Sequence, residues 1–315
     1  MKKLLIIALF FAAAFSTLWS KEVKLLTIGN SFADSAFKYL PQVAASVPDC
    51  DLVMERANHG GCELDRHWSY ILREESSPDV KLYRKATASL KEILKSKKWD
   101  FVTIQQASHK SWRPETYQPF AKNIKEYVNK NAPSAEVVLQ QTWSYRSDDP
   151  RIRKGGEWNI DQTEMFKRLE QAYAECAKEL DLRIIPMGLA VQNARNGQKV
   201  KFKDYGADAL KKMKYPDLPD QSGSIVGKLR WAKGKDGKMR INRDSIHLNE
   251  RGEYLQACVW FAFFFGKNAE EITFVPDGIN PEDAKFLRSV AQKTVSTFKQ
   301  PNAQQYRHWH CIRAI

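Results

Sequence analysis

The sequence predicts an α/β domain built on a five-stranded parallel sheet with helices on both faces. Three observations carry that reading: five short apolar segments closed by turn residues, helical stripes of apolar residues between them, and a Gly-Asn-Ser turn directly after the first segment. Strands separated by helices need crossover connections, which makes neighbouring strands parallel and covers both faces of the sheet. Functional sites in such sheets form beyond the carboxyl ends of the strands.

The elements follow in chain order. Lys2 and Lys3 precede an unbroken apolar run over residues 4–15, with Ser16 and Thr17 behind it. This is the order of a secretory signal peptide over residues 1–20, cut between 16 and 20. The run is too short to span a bilayer, so the mature chain is expected to be periplasmic or secreted, with no membrane span and no nucleic-acid partner. Strands are expected over residues 23–29, 51–58, 101–106, 136–141 and 182–186. Three-and-four spacing marks a helix face at Tyr83, Ala86, Leu90, Ile93 and Leu94. A second runs through Tyr117, Phe120, Ala121, Ile124 and Val128, with Pro114 placed to start its helix, and a third through Met165, Leu169, Ala172, Cys176 and Leu180. The dense apolar stretch 254–265 reads as a buried core helix, and a last helix is expected over 281–298. Residues 21–300 therefore form one domain, followed by a tail at 301–315.

Of 315 residues 43% are hydrophobic, enough for a sizeable core, which excludes disorder and a disulfide-stapled miniature. Five cysteines cannot all pair within one chain, and Cys176 and Cys258 fall on apolar helix faces as buried thiols. The formal charge is +13, and residues 195–243 concentrate it, with fourteen Lys and Arg against five Asp. That basic segment reads as an insertion or elaborated loop set, either a solvated lid or a cationic wall for anionic substrates.

Two blocks carry chemistry. Ser31 lies in Gly29-Asn30-Ser31-Phe32, at a strand-to-helix turn that presents its hydroxyl at the carboxyl edge of the sheet. Far downstream stands Asp244-Ser245-Ile246-His247-Leu248-Asn249. Serine is a poor nucleophile until a base takes its proton, and the base needs a carboxylate to fix its tautomer. Three-residue spacing lets one tight loop supply both partners.

Together these blocks resemble the SGNH (GDSL-type) hydrolase superfamily over residues 23–265, in particular a subgroup of secreted bacterial members whose first block reads Gly-Asn-Ser. The resemblance implies a three-layer, flavodoxin-like α/β/α sandwich, with Ser31 as nucleophile, His247 as general base, Asp244 as its orienting carboxylate, and neither metal nor other cofactor. It also implies an oxyanion hole formed by the N–H of Ser31, a glycine N–H and a side-chain amide. His59-Gly60-Gly61-Cys62 supplies the glycine, with Gly61 favoured over Gly60. The amide block departs from the family pattern: it reads Ile104-Gln105-Gln106-Ala107-Ser108-His109, with no Asn in register. Gln106 is expected in that role with Gln105 as the rival, since strand alternation turns only one of them towards the pocket.

Expected substrate contacts are Trp143, Arg66 and His67, with Trp112, Trp158 and Arg146 as further candidates. His59, Cys62 and His67 match no common zinc ligand spacing. The activity implied is that of a secreted serine esterase removing acyl groups, acetyl foremost, from a polysaccharide or glycan that is anionic if the basic segment takes part. The alternatives are a non-catalytic glycan-binding protein on the same fold and a lipid or thioester hydrolase.

Overall fold

A computed structural model of the chain describes residues 20–153 and 155–302. The expected leader up to residue 19, Cys311 and all but the first two residues of the expected tail lie outside the described residues.

The sheet contains β1 (Lys21–Ile28), β2 (Cys50–Arg56), β3 (Phe101–Ile104), β4 (Glu136–Gln140) and β5 (Arg183–Ile185), in the order β2-β1-β3-β4-β5. All four pairings are parallel. Leu25, Leu26, Val102, Ile104, Val138 and Leu139 are fully buried. Central strands covered on both faces read as continuous apolar runs, which is why these segments were legible.

The helices are α1 (Ser31–Asp34), α2 (Leu40–Ala45), α3 (Leu64–Ser76), α4 (Leu90–Lys95), α5 (Phe120–Asn131), α6 (Gln162–Leu180), α7 (Met187–Gly197), α8 (Gly206–Lys212), α9 (Glu250–Phe265) and α10 (Pro281–Thr297). On one face α2, α7 and α10 pack around α9; on the other α3 and α4 pack on α5. Right-handed crossovers put α6 in the second layer, which completes the three-layer sandwich. With neighbours on several sides, α9 is buried almost all round, as its apolar run over residues 257–265 requires. The Asn249 side chain accepts from Gly252 N at its start, and Gly266 at φ 65° ends it.

Three expectations need correction. Tyr83 and Ala86 do not share a helix with Leu90: Arg84, Lys85 and Ala86 take positive φ, Tyr83 bridges to Ala88, and α4 starts only after the Ser89–Glu92 capping box. Pro114 opens a separate 3₁₀ turn, Pro114–Thr116, and α5 begins at Phe120. The basic segment is not a loop set. It folds into α8 and most of an antiparallel hairpin, β6 (Val226–Lys233) with β7 (Met239–Leu248). Cys50, Cys62, Cys176 and Cys258 are buried free thiols.

Candidate active site

The site grows from the end of β1. Beyond Ile28 the Gly29 carbonyl accepts from His59 N at 3.0 Å, which joins this turn to the loop after β2. Asn30 caps α1 by accepting from Phe32 N at 3.1 Å, so Ser31 becomes the first helical residue at the carboxyl edge of the sheet. Ser31 Oγ lies 2.9 Å from His247 Nε2, and His247 Nδ1 lies 2.8 Å from Asp244 Oδ2. A carboxylate only accepts, so Nδ1 carries the proton and Nε2 is left to accept from the serine hydroxyl. Asp244 Oδ1 accepts from Ile246 N at 2.9 Å and His247 N at 3.0 Å. Burial alone would raise the Asp244 pKa. The His247 side chain and these two backbone N–H groups outweigh burial and hold the carboxyl well below its ordinary range.

Asp244 and His247 sit at the end of strand β7, not on the tight loop that their spacing suggested. The segment after β4 fastens this strand end from behind. Trp143 Nε1 donates to the Ile246 carbonyl at 2.8 Å, Arg146 N to the Ser245 carbonyl at 2.9 Å, and the buried Ser245 hydroxyl to Asp149 Oδ2 at 2.7 Å. Arg151 holds Asp149 through two hydrogen bonds, and Arg146 holds Asp148 likewise. At Gly227, φ 85°, any side chain would meet Arg146 and the Asp244 carbonyl at 2.6 Å, so glycine is what lets the hairpin lie this close.

Asn30 joins the Ser31 turn to the glycine loop: its Nδ2 donates to the Cys62 carbonyl at 2.9 Å, while its Oδ1 also accepts from Gln105 Nε2 at 2.7 Å. Gly61 lies in the exposed turn closed by Cys62 N to the His59 carbonyl, at φ 60°. Its N–H, like that of Ser31, meets no acceptor among the described residues. Gln106 offers no free amide: it is fully buried, donating to Thr116 and accepting from Leu64 N and Ala107 N. Gln105 Nε2 gives one N–H to Asn30, and its buried Oε1 has no partner among the described residues. Strand alternation fails here because β3 stops at Ile104, one residue before the pair.

Two of the three expected substrate contacts are structural. Trp143 is fully buried, stacked on Phe32 with ring centroids 4.1 Å apart, and Phe32 in turn lies 5.6 Å from the His247 ring. It is therefore a backing for the imidazole and not a sugar platform. His67 is fully buried between the Gly29 carbonyl, 3.0 Å from Nε2, and the Tyr83 hydroxyl, 3.1 Å from Nδ1. Burial pushes its pKa down to about 3, so it stays neutral. Arg66 is exposed and donates to the Gly60 carbonyl at 3.2 Å, beside Gly61. Arg146 is buried against Asp148 and faces no substrate.

The residues that sequence reasoning missed are Asn30 as a joint, the Trp143–Asp149 fastening and the hairpin. Asp236-Gly237 between two strand-forming runs was the available signal for the hairpin. Among the described residues no three His, Cys, Asp or Glu side chains gather as a metal ion would require, and no helix is long and apolar enough to cross a membrane.

Comparison with known proteins fits this architecture. A DUF4886 family protein from Bacteroides uniformis superposes with a TM-score of 0.67 at 22% identity, over 88% of this chain and 96% of that one. A candidate SGNH hydrolase from Slackia heliotrinireducens gives 0.48 at 18% identity, covering 78% and 100% of the two chains. An acetylxylan esterase from Geobacillus stearothermophilus gives 0.41 at 12% identity, covering 80% and 95%. No curated protein matches. The model of the family described as a domain of unknown function, DUF4886, matches residues 24–215, more than half of the chain, and the chain belongs to that family.

Proposed function

We propose that this chain is an exported serine esterase, periplasmic or secreted, that removes acyl groups, acetyl foremost, from a polysaccharide or glycan. The observation that carries the proposal is the hydrogen-bonded line from Ser31 Oγ through His247 to Asp244, at 2.9 and 2.8 Å. Ser31 attacks the ester carbonyl while His247 Nε2 takes its proton, and Asp244 stabilises the resulting imidazolium. The N–H groups of Ser31 and Gly61 hold the tetrahedral oxyanion. With the Gln106 amide engaged by Thr116 and that of Gln105 held against Asn30, the hole rests chiefly on backbone donors, and each such donor is worth roughly 100- to 1,000-fold in rate. His247 then protonates the leaving sugar oxygen, and water repeats the sequence to free the acid.

The expected outcome for Ser31→Ala is loss of hydrolysis of a simple aryl acetate with the fold intact by circular dichroism. Unchanged hydrolysis would end this mechanism. The engaged state of Gln106, the expected amide donor, favours a second reading, a glycan-binding protein without turnover. Tight glycan binding with no hydrolysis across a panel of esters, and no labelling of Ser31 by an organophosphonate, would select it. Turnover that rises with acyl chain length would instead select a lipid or thioester hydrolase.

A further inference from the structure

The β6–β7 hairpin carries a charge imbalance that its folding does not use. Residues 226–243 hold seven Lys and Arg against one acid, Asp236. Three of the seven have carboxylate partners: Arg240 with Asp236, Lys228 with Glu250 at 3.8 Å and Arg243 with Asp148 at 3.7 Å. Arg230, Lys233, Lys235 and Lys238 are exposed and form no ion pair among the described residues.

Register decides where these charges point. Lys228 lies opposite Asp244, Arg230 opposite Asn242 and Ala232 opposite Arg240. Residues directly opposite in an antiparallel pair project from the same face, so Lys228, Arg230 and Arg240 share a face with Asp244, the carboxylate that holds His247. Alternate residues on a strand are about 7 Å apart, so the cations form a row leading from the catalytic end to the hairpin tip. The other face is partly covered: Leu229 is buried, Trp231 Nε1 donates to the Asp217 carbonyl at 2.9 Å, and Tyr215 packs edge-on against the Trp231 ring.

We infer that the outer face of this hairpin docks a polyanionic glycan, a polymer of carboxylate-bearing sugars, along a strip that ends at Ser31 and His247. The inference rests on the esterase reading and names its substrate class. Spaced, exposed cations suit a repeating polyanion, whereas a compact anion would meet one or two of them. The strip has no row of apolar side chains such as insertion into a lipid surface uses. It also ends on a half-exposed His–Asp pair, where an ester borne on the polymer would have to lie.

Binding of the full chain to labelled polygalacturonate, measured by fluorescence anisotropy beside dextran, a DNA oligonucleotide and phosphatidylglycerol vesicles, tests this. Polygalacturonate should bind and dextran should not, with affinity falling about tenfold or more as salt is raised to physiological strength. A variant carrying K228Q, R230Q and R240Q, the three cations on the face shared with Asp244, should lose about tenfold or more of that affinity, since exposed charges act mainly through screened attraction. A control carrying K122Q, K167Q, K178Q and K285Q, all exposed and remote in sequence, should retain it. Equal binding by the hairpin variant and the wild type, equal loss in the control, or preference for DNA or vesicles would overturn the assignment. Organophosphonate labelling of Ser31 separates the two ideas. Polygalacturonate should slow labelling of the wild type but not of the hairpin variant. Binding without any labelling would remove the esterase and keep the strip; labelling without binding would remove the strip alone.

Discussion

Gln105 donates to Asn30 Oδ1 at 2.7 Å across 75 residues of chain, and through that contact the end of β3 fixes the turn that presents Ser31. Asn30 is asked both to accept, from Gln105 and Phe32 N, and to donate, to the Cys62 carbonyl. An amide does both and a carboxylate only the first. This gives a physical reason for asparagine in the first block.

Asn30→Asp should therefore keep the helix cap but set a charged oxygen against the Cys62 carbonyl. The expected cost is about 1–3 kcal/mol, the penalty for an unsatisfied buried group. Urea denaturation checks it. Because the lost contact anchors the Gly61 loop, kcat on an aryl acetate should fall more than KM rises. Wild-type stability and kcat would remove the joint.

Ser245→Ala takes one donor from the buried Asp149 carboxylate and loosens the strand end that carries His247. A hydrogen bond to a charged group is worth about 1.5–3 kcal/mol, and a loss of that size is expected in urea unfolding. Hydrolysis should fall with it at temperatures where the variant remains fully folded. Full activity would show that the fastening does not align the imidazole.

Asp244 should stay ionised far into acid. Its folded pKa lies below that of the unfolded chain, about 3.9, so its contribution to stability is complete above that value and is lost only as pH falls through the lower folded one. Carbon-13 carboxyl shifts of labelled aspartate should show Asp244 still charged at pH 3. Half-protonation near pH 4 would mean that the bonds from His247 and Ile246 do not hold in solution.

Burial pushes the Cys62 thiol up to about 11 and those of Cys176 and Cys258 to about 12, and Cys50 is raised as well. Thiolates are the reactive form. In a Cys311→Ser chain no thiol should react with a disulfide reagent at pH 8 until guanidinium is added, when four should. Rapid native reaction of Cys62 would place it outside the core.

Legibility followed the range of the interactions. The five strands and α9 were readable as local apolar runs, because burial on all sides leaves few polar positions, and α6 as an apolar stripe, because burial on one face imposes a local period. Gln106 was misread because β3 ends at Ile104, and a strand rule has no force two residues past its strand. Trp143 and His67 were misread because an aromatic or imidazole beside a site has the same sequence signature whether it faces solvent or backs the site. Their burial comes from Phe32, Ile246, Gly29 and Tyr83, none a close neighbour in the chain.

From its own letters the polypeptide determined a parallel layered sheet, a serine at the end of its first strand and an Asp-x-x-His near its last large helix, since each is written in residues within a few positions of one another. Only the tertiary structure decided which polar groups remain free. Asn30 engages Gln105, the segment after β4 grips Ser245 and Ile246, and the charged segment becomes a hairpin aimed at the imidazole. Each of those outcomes is a pairing between groups distant in the chain, and a buried polar group takes whichever partner folding brings within about 3 Å.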